Sequence, residues 1–433
     1  MIASIIICAV TCLLMIAGVL FLPKIKIGKL KIDSYWVITL LGALVLIIFG
    51  LADVVVVGKA LVADTAINPL KILVLFISMT ILSIFLDELG FFRYLASVTL
   101  KKAKTGQMKL FLYLYLIVSV LTVFTSNDII ILSFTPFICY FAKNAKINPI
   151  PYLAAEFVAA NTWSMALIIG NPTNIYLATA YGIDFIAYLK VMILPTLGAG
   201  IVAFLALLLL FRKKLSAPIE GEPENIVIQD KLLLWVGIAH LALCTLLLAI
   251  GSYINLEMWL VSLSAVVSLF IFTVVIALVR KQKPVQLLGC LKRAPWQLIP
   301  FILSMFVMIV VLQEKGVTQA IGNLLGTDLA VLKYGITSFL SANLINNIPM
   351  SVLFSSILTT VEGSAALQAV FATVIGSNIG AFLTPIGALA GIMWSSILNE
   401  HNLKFGYLDF LKIGVTIAIP TLLAALGVVW LIL

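Results

Sequence analysis

The sequence predicts an all-α polytopic membrane protein made of two inverted-topology repeats, each with a re-entrant helical hairpin and a broken transmembrane helix, with about 11 transmembrane segments in all. Three observations predict this. The 433 residues are 63% hydrophobic and only 10% charged, far from the roughly 45–50% apolar and about 25% charged content of a soluble domain. The apolar runs are long and continuous, as from Leu232 to Tyr253 and from Leu408 to Leu433, whereas an outer-membrane barrel alternates in short segments. Finally, polar and helix-breaking clusters interrupt certain runs, and their spacing recurs in both halves of the chain.

The chain opens with an apolar segment at 2–22 followed by Lys24, Lys26, Lys29 and Lys31. A secretory signal peptide has the opposite charge order, so this segment is expected to be retained as a helix with its N-terminus outside. Apolar helices follow at 35–57 and 70–86, then an interfacial stretch at 91–107 carrying Arg93, Lys101, Lys102 and Lys104 among aromatics. Asp87 and Glu88, at a helix end, read as a solvated boundary. From Met108 to Tyr140 the run is broken by the polar knot Thr125, Ser126, Asn127 and Asp128, which suits the tip of a re-entrant hairpin at about 108–143. Such non-helical backbone is tolerated at membrane depth only where it is buried or lines a wet cavity.

The next apolar segment, about 152–181, has thirty residues, or about 45 Å of helix against an apolar core of about 30 Å. Its break is marked by Gly170, Asn171 and Pro172 in GNPTN. A helix at 184–211 closes the first repeat (1–212), and a cytoplasmic linker at 213–231 contains the chain's clearest loop sequence, SAPIEGEPEN (216–225). The second repeat (232–433) follows the same order. Helices near 232–253, 255–279 and 298–313 precede an interfacial stretch at 314–330, a hairpin at about 331–361 around Asn343, Asn346, Asn347 and Pro349, a broken helix at about 365–398 with LTPIG (383–387), and a helix at 407–433.

Subtraction supports the repeat: Asn127 and Asn346 are 219 apart, Asn161 and Asn378 are 217 apart, and in each half a glycine, Gly170 or Gly387, lies nine residues after its asparagine, Asn161 or Asn378. Charge then sets the orientation. If the N-terminus is outside and each hairpin returns to its own side, the loops 23–34, 91–109, 143–148, 212–231, 280–293 and 398–406 fall inside, and they hold 21 of the 27 Lys and Arg residues. The positive-inside rule favours that arrangement, with both termini outside a bacterial-type plasma membrane and the two hairpins entering from opposite faces. It also accounts for the net charge of +9 without a nucleic-acid partner.

Inverted repeats with discontinuous helices meeting near the midplane are the signature of secondary transporters. The candidate substrate- and ion-binding residues are therefore Ser126, Asn127 and Asp128 at the first tip, Asn161, Thr162, Gly170, Asn171 and Asn174 in the first broken helix, Asn346 and Asn347 at the second tip, and Ser377, Asn378, Thr384 and Gly387 in the second broken helix. Helix N-termini just after Asp128 and Asn347 could cradle an anion, and the carbonyl ends of the first arms a cation. Asp128 and Glu156 are the candidates for proton coupling, Asp128 because an ionisable group at membrane depth is expensive and marks a functional path, and Glu156 as a relay from the cytoplasm that equally reads as a side chain snorkelling to the interface. The competing structural readings are that Asp128 and Asn347 cap their helices, with Pro349 tolerated in the first turn, that the asparagines are interhelical glue, and that Gly376, Gly380, Gly387 and Gly391 serve close packing.

No cofactor is expected beyond a coupling proton or sodium ion. The five cysteines contain no CxxC, Cys8 and Cys12 read as apolar filler one turn apart, and His240 and His401 are isolated, so no metal site is predicted. The absence of HExxH, GxSxG and paired catalytic carboxylates leaves an intramembrane enzyme poorly supplied with chemistry, and no catalytic residue is assigned.

At SNDIIILSFTP (126–136), ANTWSMALIIGNPTNI (160–175), NNIPMSVL (346–353) and GSNIGAFLTPIGALAGIMW (376–394) the chain resembles the ion-transporter superfamily that includes arsenical pump membrane proteins, NhaD-type sodium/proton antiporters and divalent anion/sodium symporters. The last motif is most similar to the arsenical-pump branch. The resemblance covers the whole chain and implies a secondary carrier, in that branch a proton-coupled exporter of arsenite or antimonite, in a homodimer and with or without a cytosolic ATPase subunit. Sodium/proton exchange and sodium-coupled di- or tricarboxylate transport are the alternatives it leaves open, all with a small inorganic or organic anion or a coupling cation as ligand. The first break, GNPTN, departs from the serine-containing stretch of the arsenical branch, and neither tip carries the Ser-Asn-Thr signature of the dicarboxylate symporters.

Overall fold

The computed structural model describes residues 2–22, 24–27, 30–63, 68–103, 106–216, 226–251 and 256–433. Residues 217–225 of the expected linker, together with Lys29 and Lys104, lie outside them. The first half runs α1 (Ile2–Phe21), an antiparallel pair β1 (Lys24–Ile27) and β2 (Leu30–Asp33), α2 (Ser34–Ile48), α3 (Val54–Val62), α4 (Pro69–Glu88), α5 (Phe91–Ala103), α6 (Gln107–Phe124), α7 (Asn127–Asn144), α8 (Ile150–Trp163), α9 (Pro172–Ala180) and α10 (Phe185–Phe211). The second half runs α11 (Lys231–Gly251), α12 (Met258–Val279), α13 (Val285–Arg293), α14 (Leu298–Glu314), α15 (Val317–Leu325), α16 (Ala330–Ile345), α17 (Asn347–Leu358), α18 (Ser364–Gly380), α19 (Leu389–Glu400) and α20 (Tyr407–Ile432). Helix for helix, the order of long, short, paired and broken elements in α1–α10 recurs in α11–α20.

The packing is reciprocal. Each hairpin's first arm lies on the first half of its own broken helix, α6 on α8 and α16 on α18, and each second arm meets the other repeat's second half-helix, α7 on α19 and α17 on α9. The two closing helices α10 and α20 pack together along their lengths. Among the described residues eight helices are long and apolar enough to cross a membrane, while the shorter apolar helices are α2, the two arms of the second hairpin and α18. The half-helices α8 and α9 of the first repeat are buried nearly throughout, whereas α10 exposes Leu194, Leu197, Ile201, Leu205 and Leu209 along one face. In water that stripe would be an adhesive patch; against lipid it is the expected exterior of a helix in a bilayer.

Local sequence explains the helix starts. Asn68 caps α4, accepting from Leu70 N at 2.9 Å and Lys71 N at 3.1 Å, and Pro69 occupies the first helical position, where no N–H is needed. Asp184 caps α10 through Ala187 N at 2.7 Å. The expected helix at 35–57 is in fact two, because Asp53 caps a new helix by accepting from Val55 N at 2.8 Å and Val56 N at 3.2 Å. The loop at 23–34 contains a β-hairpin in which Lys24 faces Asp33, and the loop at 280–293 contains α13. Asp87 is buried rather than solvated, since Arg293 of α13 reaches it at 2.6 Å and Glu88 at 2.7 Å, tying the first repeat to the second.

The basic loops gather at one end. Lys24, Asp33, Lys292, Arg293 and Glu400 line one cavity, and Arg93, Lys231, Arg280 and His401 line another beside them. Arg280 pairs with Asp230 across this second cavity at 2.5 Å.

Candidate functional site

Both hairpins turn where the sequence is polar. The first ends α6 at Phe124 and restarts at Asn127 after the extended residue Ser126. The second restarts at Asn347 after Asn346, whose Oδ1 accepts from Ile348 N at 3.3 Å. The capping positions are therefore Ser126, two residues before Asp128, and Asn346, one residue before Asn347, because Asp128 and Asn347 already lie within the first turns of α7 and α17. A carboxylate in a first turn is favoured by the helix dipole.

The broken helices are sewn shut by asparagines. In the first break, α8 gives way to a short 3-10 turn at Ile168–Gly170, and Asn171 caps α9 by accepting from Thr173 N at 3.2 Å. Asn174 then donates to Ser164 O at 2.8 Å and Leu167 O at 3.1 Å, satisfying carbonyls that the interrupted helix leaves free. In the second break the same task falls to Asn343 of the hairpin, which donates to Gly380 O at 3.0 Å and accepts from Thr384 Oγ1 at 2.7 Å. Gly170 and Gly387 are required at mirrored positions, since a Cβ at either would overlap a backbone carbonyl, of Ser164 and of Gly380 respectively. Gly170→Ala is expected to lower the thermal midpoint by several degrees, as overpacking against rigid backbone costs about 1–3 kcal/mol; an unshifted melt of the purified variant in detergent would refute this.

Asn378 is the hub between the breaks. Its Oδ1 accepts from Ser164 Oγ at 3.0 Å and Asn171 Nδ2 at 3.1 Å, and its Nδ2 donates to Asn174 Oδ1 at 2.7 Å and Val374 O at 2.8 Å. Ser164 also donates to Asn161 O at 3.0 Å, and Asn161 Oδ1 accepts from Asn127 Nδ2 at 3.0 Å. The structure thus joins Asn127, Asn161, Asn171, Asn174 and Asn378 in one buried network reaching from the first hairpin tip to the second broken helix. Asn346, Asn347, Thr384 and Gly387 form a separate cluster at the second tip.

Around the first network several buried oxygens have no hydrogen-bond partner: Ser126 Oγ, Asn127 Oδ1, Thr162 Oγ1, Thr173 Oγ1 and Ser377 Oγ. Such groups call for an explanation, and a bound solute, ion or water supplies one. Asp128 is partly exposed and lines a cavity of about 920 Å³ that also takes in Tyr35, Thr80 and, from the second break, Pro385 and Ile386. The same cavity is lined by Lys24, Lys292 and Arg293 of the basic loops, which gives Asp128 a route to that end of the molecule. Glu156 is placed elsewhere. It is fully buried, its two carboxyl oxygens take the Thr135 hydroxyl at 2.9 and 3.0 Å, and neighbouring Phe157 packs on Trp394. It does not line the cavity that Asp128 lines.

Sequence reasoning missed Tyr35, Thr80, Ser164 and the bracing role of Asn343. Thr80 carried a weak signal, a hydroxyl in the middle of an otherwise apolar helix; its Oγ1 is buried without a partner. Tyr35 carried none, because its ring packs edge-on against Phe301, far away in the chain, at 5.1 Å.

Comparison with known proteins adds three findings. Residues 27–376 match the family model described as citrate transporter. An arsenical pump membrane protein of Escherichia coli is 28% identical over 373 residues, covering 81% of this chain and 84% of that protein, and one of Yersinia enterocolitica is 29% identical over 376 residues with the same coverage. Among solved structures, the YdaH transporter of Alcanivorax borkumensis, described as having an unusual topology, superposes with a TM-score of 0.52 at 16% identity, covering 99% of this chain and 97% of that one.

Proposed function

The chain belongs to the citrate transporter family, and we propose that it works as a proton-coupled exporter of arsenite or antimonite, moving its cargo by alternating access between the two repeats. Arsenical-pump relatives aligning over four-fifths of both chains support the cargo. The chemistry of the first hairpin tip carries the reading. A tricarboxylate needs positive countercharge, yet the ionisable side chain at the tips is an acid, Asp128, set among amides and hydroxyls. Arsenite near neutral pH is chiefly the uncharged trihydroxide, whose O–H groups donate to a carboxylate and to amide oxygens and whose oxygens accept from amide N–H groups. A carboxylate that hydrogen-bonds the cargo when ionised and releases it when protonated is the element an exchanger requires.

In this reading the basic-loop end is cytoplasmic and both termini lie outside, following the positive-inside rule. The cavity that reaches Asp128 then opens inward, so cargo enters from the cytoplasm. Glu156, sealed from that cavity among α7, α8 and α19, lies outside the inward route. A sodium-coupled carboxylate carrier is the second reading, supported by the description of the matched family.

The test is intracellular arsenic, measured by mass spectrometry in pump-deficient bacteria given arsenite. Cells expressing the protein are expected to hold less arsenic than cells with empty vector. Equal arsenic at confirmed expression would overturn the proposal and move the assay to citrate uptake.

A further inference from the structure

We infer that cargo and coupling ion bind at the first hairpin tip alone, and that the second tip, its repeat mate, is a closed structural clamp. The inference rests on reading the hairpin tips as the transport site, and it assigns that site to one repeat.

At the second tip every backbone N–H of the first turn of α17 is already used. Asn347 N donates to Gly387 O at 3.0 Å, Ile348 N to Asn346 Oδ1 at 3.3 Å, and Met350 N to Asn346 O at 3.1 Å, while Pro349 has no N–H. The Asn346 side chain donates to Ile386 O at 3.0 Å, and Asn343 holds Gly380 O and Thr384 as well. Asn346 itself sits at φ 72°, ψ 151°, a conformation that belongs essentially to glycine and persists in other residues only when the surroundings over-determine it. The surrounding bonds do so by clamping the tip onto its own broken helix. No helix-terminal N–H is left there to cradle an anion, contrary to the expectation for the region after Asn347.

The first tip is the opposite case. Ser126 is 4% exposed and Asn127 2%, yet Ser126 Oγ and Asn127 Oδ1 have no partner, and neither has Thr162 Oγ1, next to Asn161 to which Asn127 is bonded. Ser126 makes no side-chain cap. Among the described residues the N–H groups of Asn127, Asp128 and Ile129 find no acceptor. Donors and acceptors therefore stand together, unpaired, beside Asp128, whose carboxylate lines a cavity. That set suits a small uncharged polyhydroxide, which both gives and takes hydrogen bonds, or a single cation among the oxygens. One site implies one cargo molecule per cycle per chain.

Hydrogen–deuterium exchange of the purified full chain in nanodiscs tests this, with arsenite, sodium chloride and citrate as separate probes. The expected result is fast exchange in the peptide holding 127–129, slowed by at least one probe, and slow exchange over 346–348 that no probe alters. Slowing at the first tip by sodium or citrate but not arsenite would refute the arsenite reading while supporting the single site. Slowing at both tips, or at neither, would overturn the single site. Transport by two variants gives an independent check. Asn346→Gly keeps the backbone bonds and fits the φ, so it should retain more of the flux and melt higher than Asn346→Ala. Complete and equal loss of flux in both, with folding intact, would make the Asn346 amide a ligand and overturn the clamp.

Discussion

Asp128→Asn is expected to reduce pH-gradient-driven arsenite flux in inverted membrane vesicles to the level of empty-vector vesicles. The substitution keeps volume and shape but leaves nothing to titrate at the point where the cavity meets the hairpin tip. Folding should survive. The carboxylate's interaction with the α7 terminus contributes typically 0.3–1 kcal/mol, a modest part of a stability of about 5–15 kcal/mol. The variant should therefore appear in the membrane at wild-type amount and melt within a few degrees of it. Undiminished coupled flux would reduce Asp128 to a partner of the helix dipole.

The largest loss of stability is expected from Asn378→Ala. Removing this amide strands Asn171 Nδ2 and Asn174 Oδ1, which are bonded to it at 3.1 and 2.7 Å in positions at most 1% exposed. Each stranded group costs about 1–3 kcal/mol, so the variant forfeits about 2–6 kcal/mol of a total near 5–15 kcal/mol. Ser164 is less affected, because its hydroxyl keeps Asn161 O at 3.0 Å. The thermal midpoint in detergent, read by loss of the monodisperse peak, should fall steeply, and expression should fall with it. A melt like that of the wild type would mean that water replaces the amide and that the hub is dispensable.

Much of the architecture was legible because membrane helices are long apolar runs whose interruptions are conspicuous. The polar knots at 125–128 and 343–349 fall where one helix ends and the next begins, and the breaks read at 170–172 and 383–387 fall at wider interruptions, 164–171 and 381–388. What failed was local and short. The alternation of Lys and Ile at 24–27 was a period-2 signal overshadowed by its positive charge, and Asp53 was a cap hidden inside a run that otherwise reads as one helix. The candidate site was legible as a set of residue types but not as a wiring diagram. Ser164 meets Asn378 across 214 positions and Asn171 meets it across 207, and no local pattern tells which asparagine braces a break and which waits for a ligand. Asn127 and Asn346 look equivalent in sequence, yet Asn346 is fully engaged while Asn127 Oδ1 is free.

The knot at Asn378 also bears on how the two halves can change over generations. Most of each repeat faces lipid or packs through apolar side chains, where volume-conserving replacements are tolerated, so the halves are free to drift apart there. At the knot a change in Asn378 strands partners contributed by the other half, and a change in Asn171 or Asn174 strands Asn378. The seam is where the duplicated halves are obliged to co-vary, and paired substitutions there should rescue what single ones destroy.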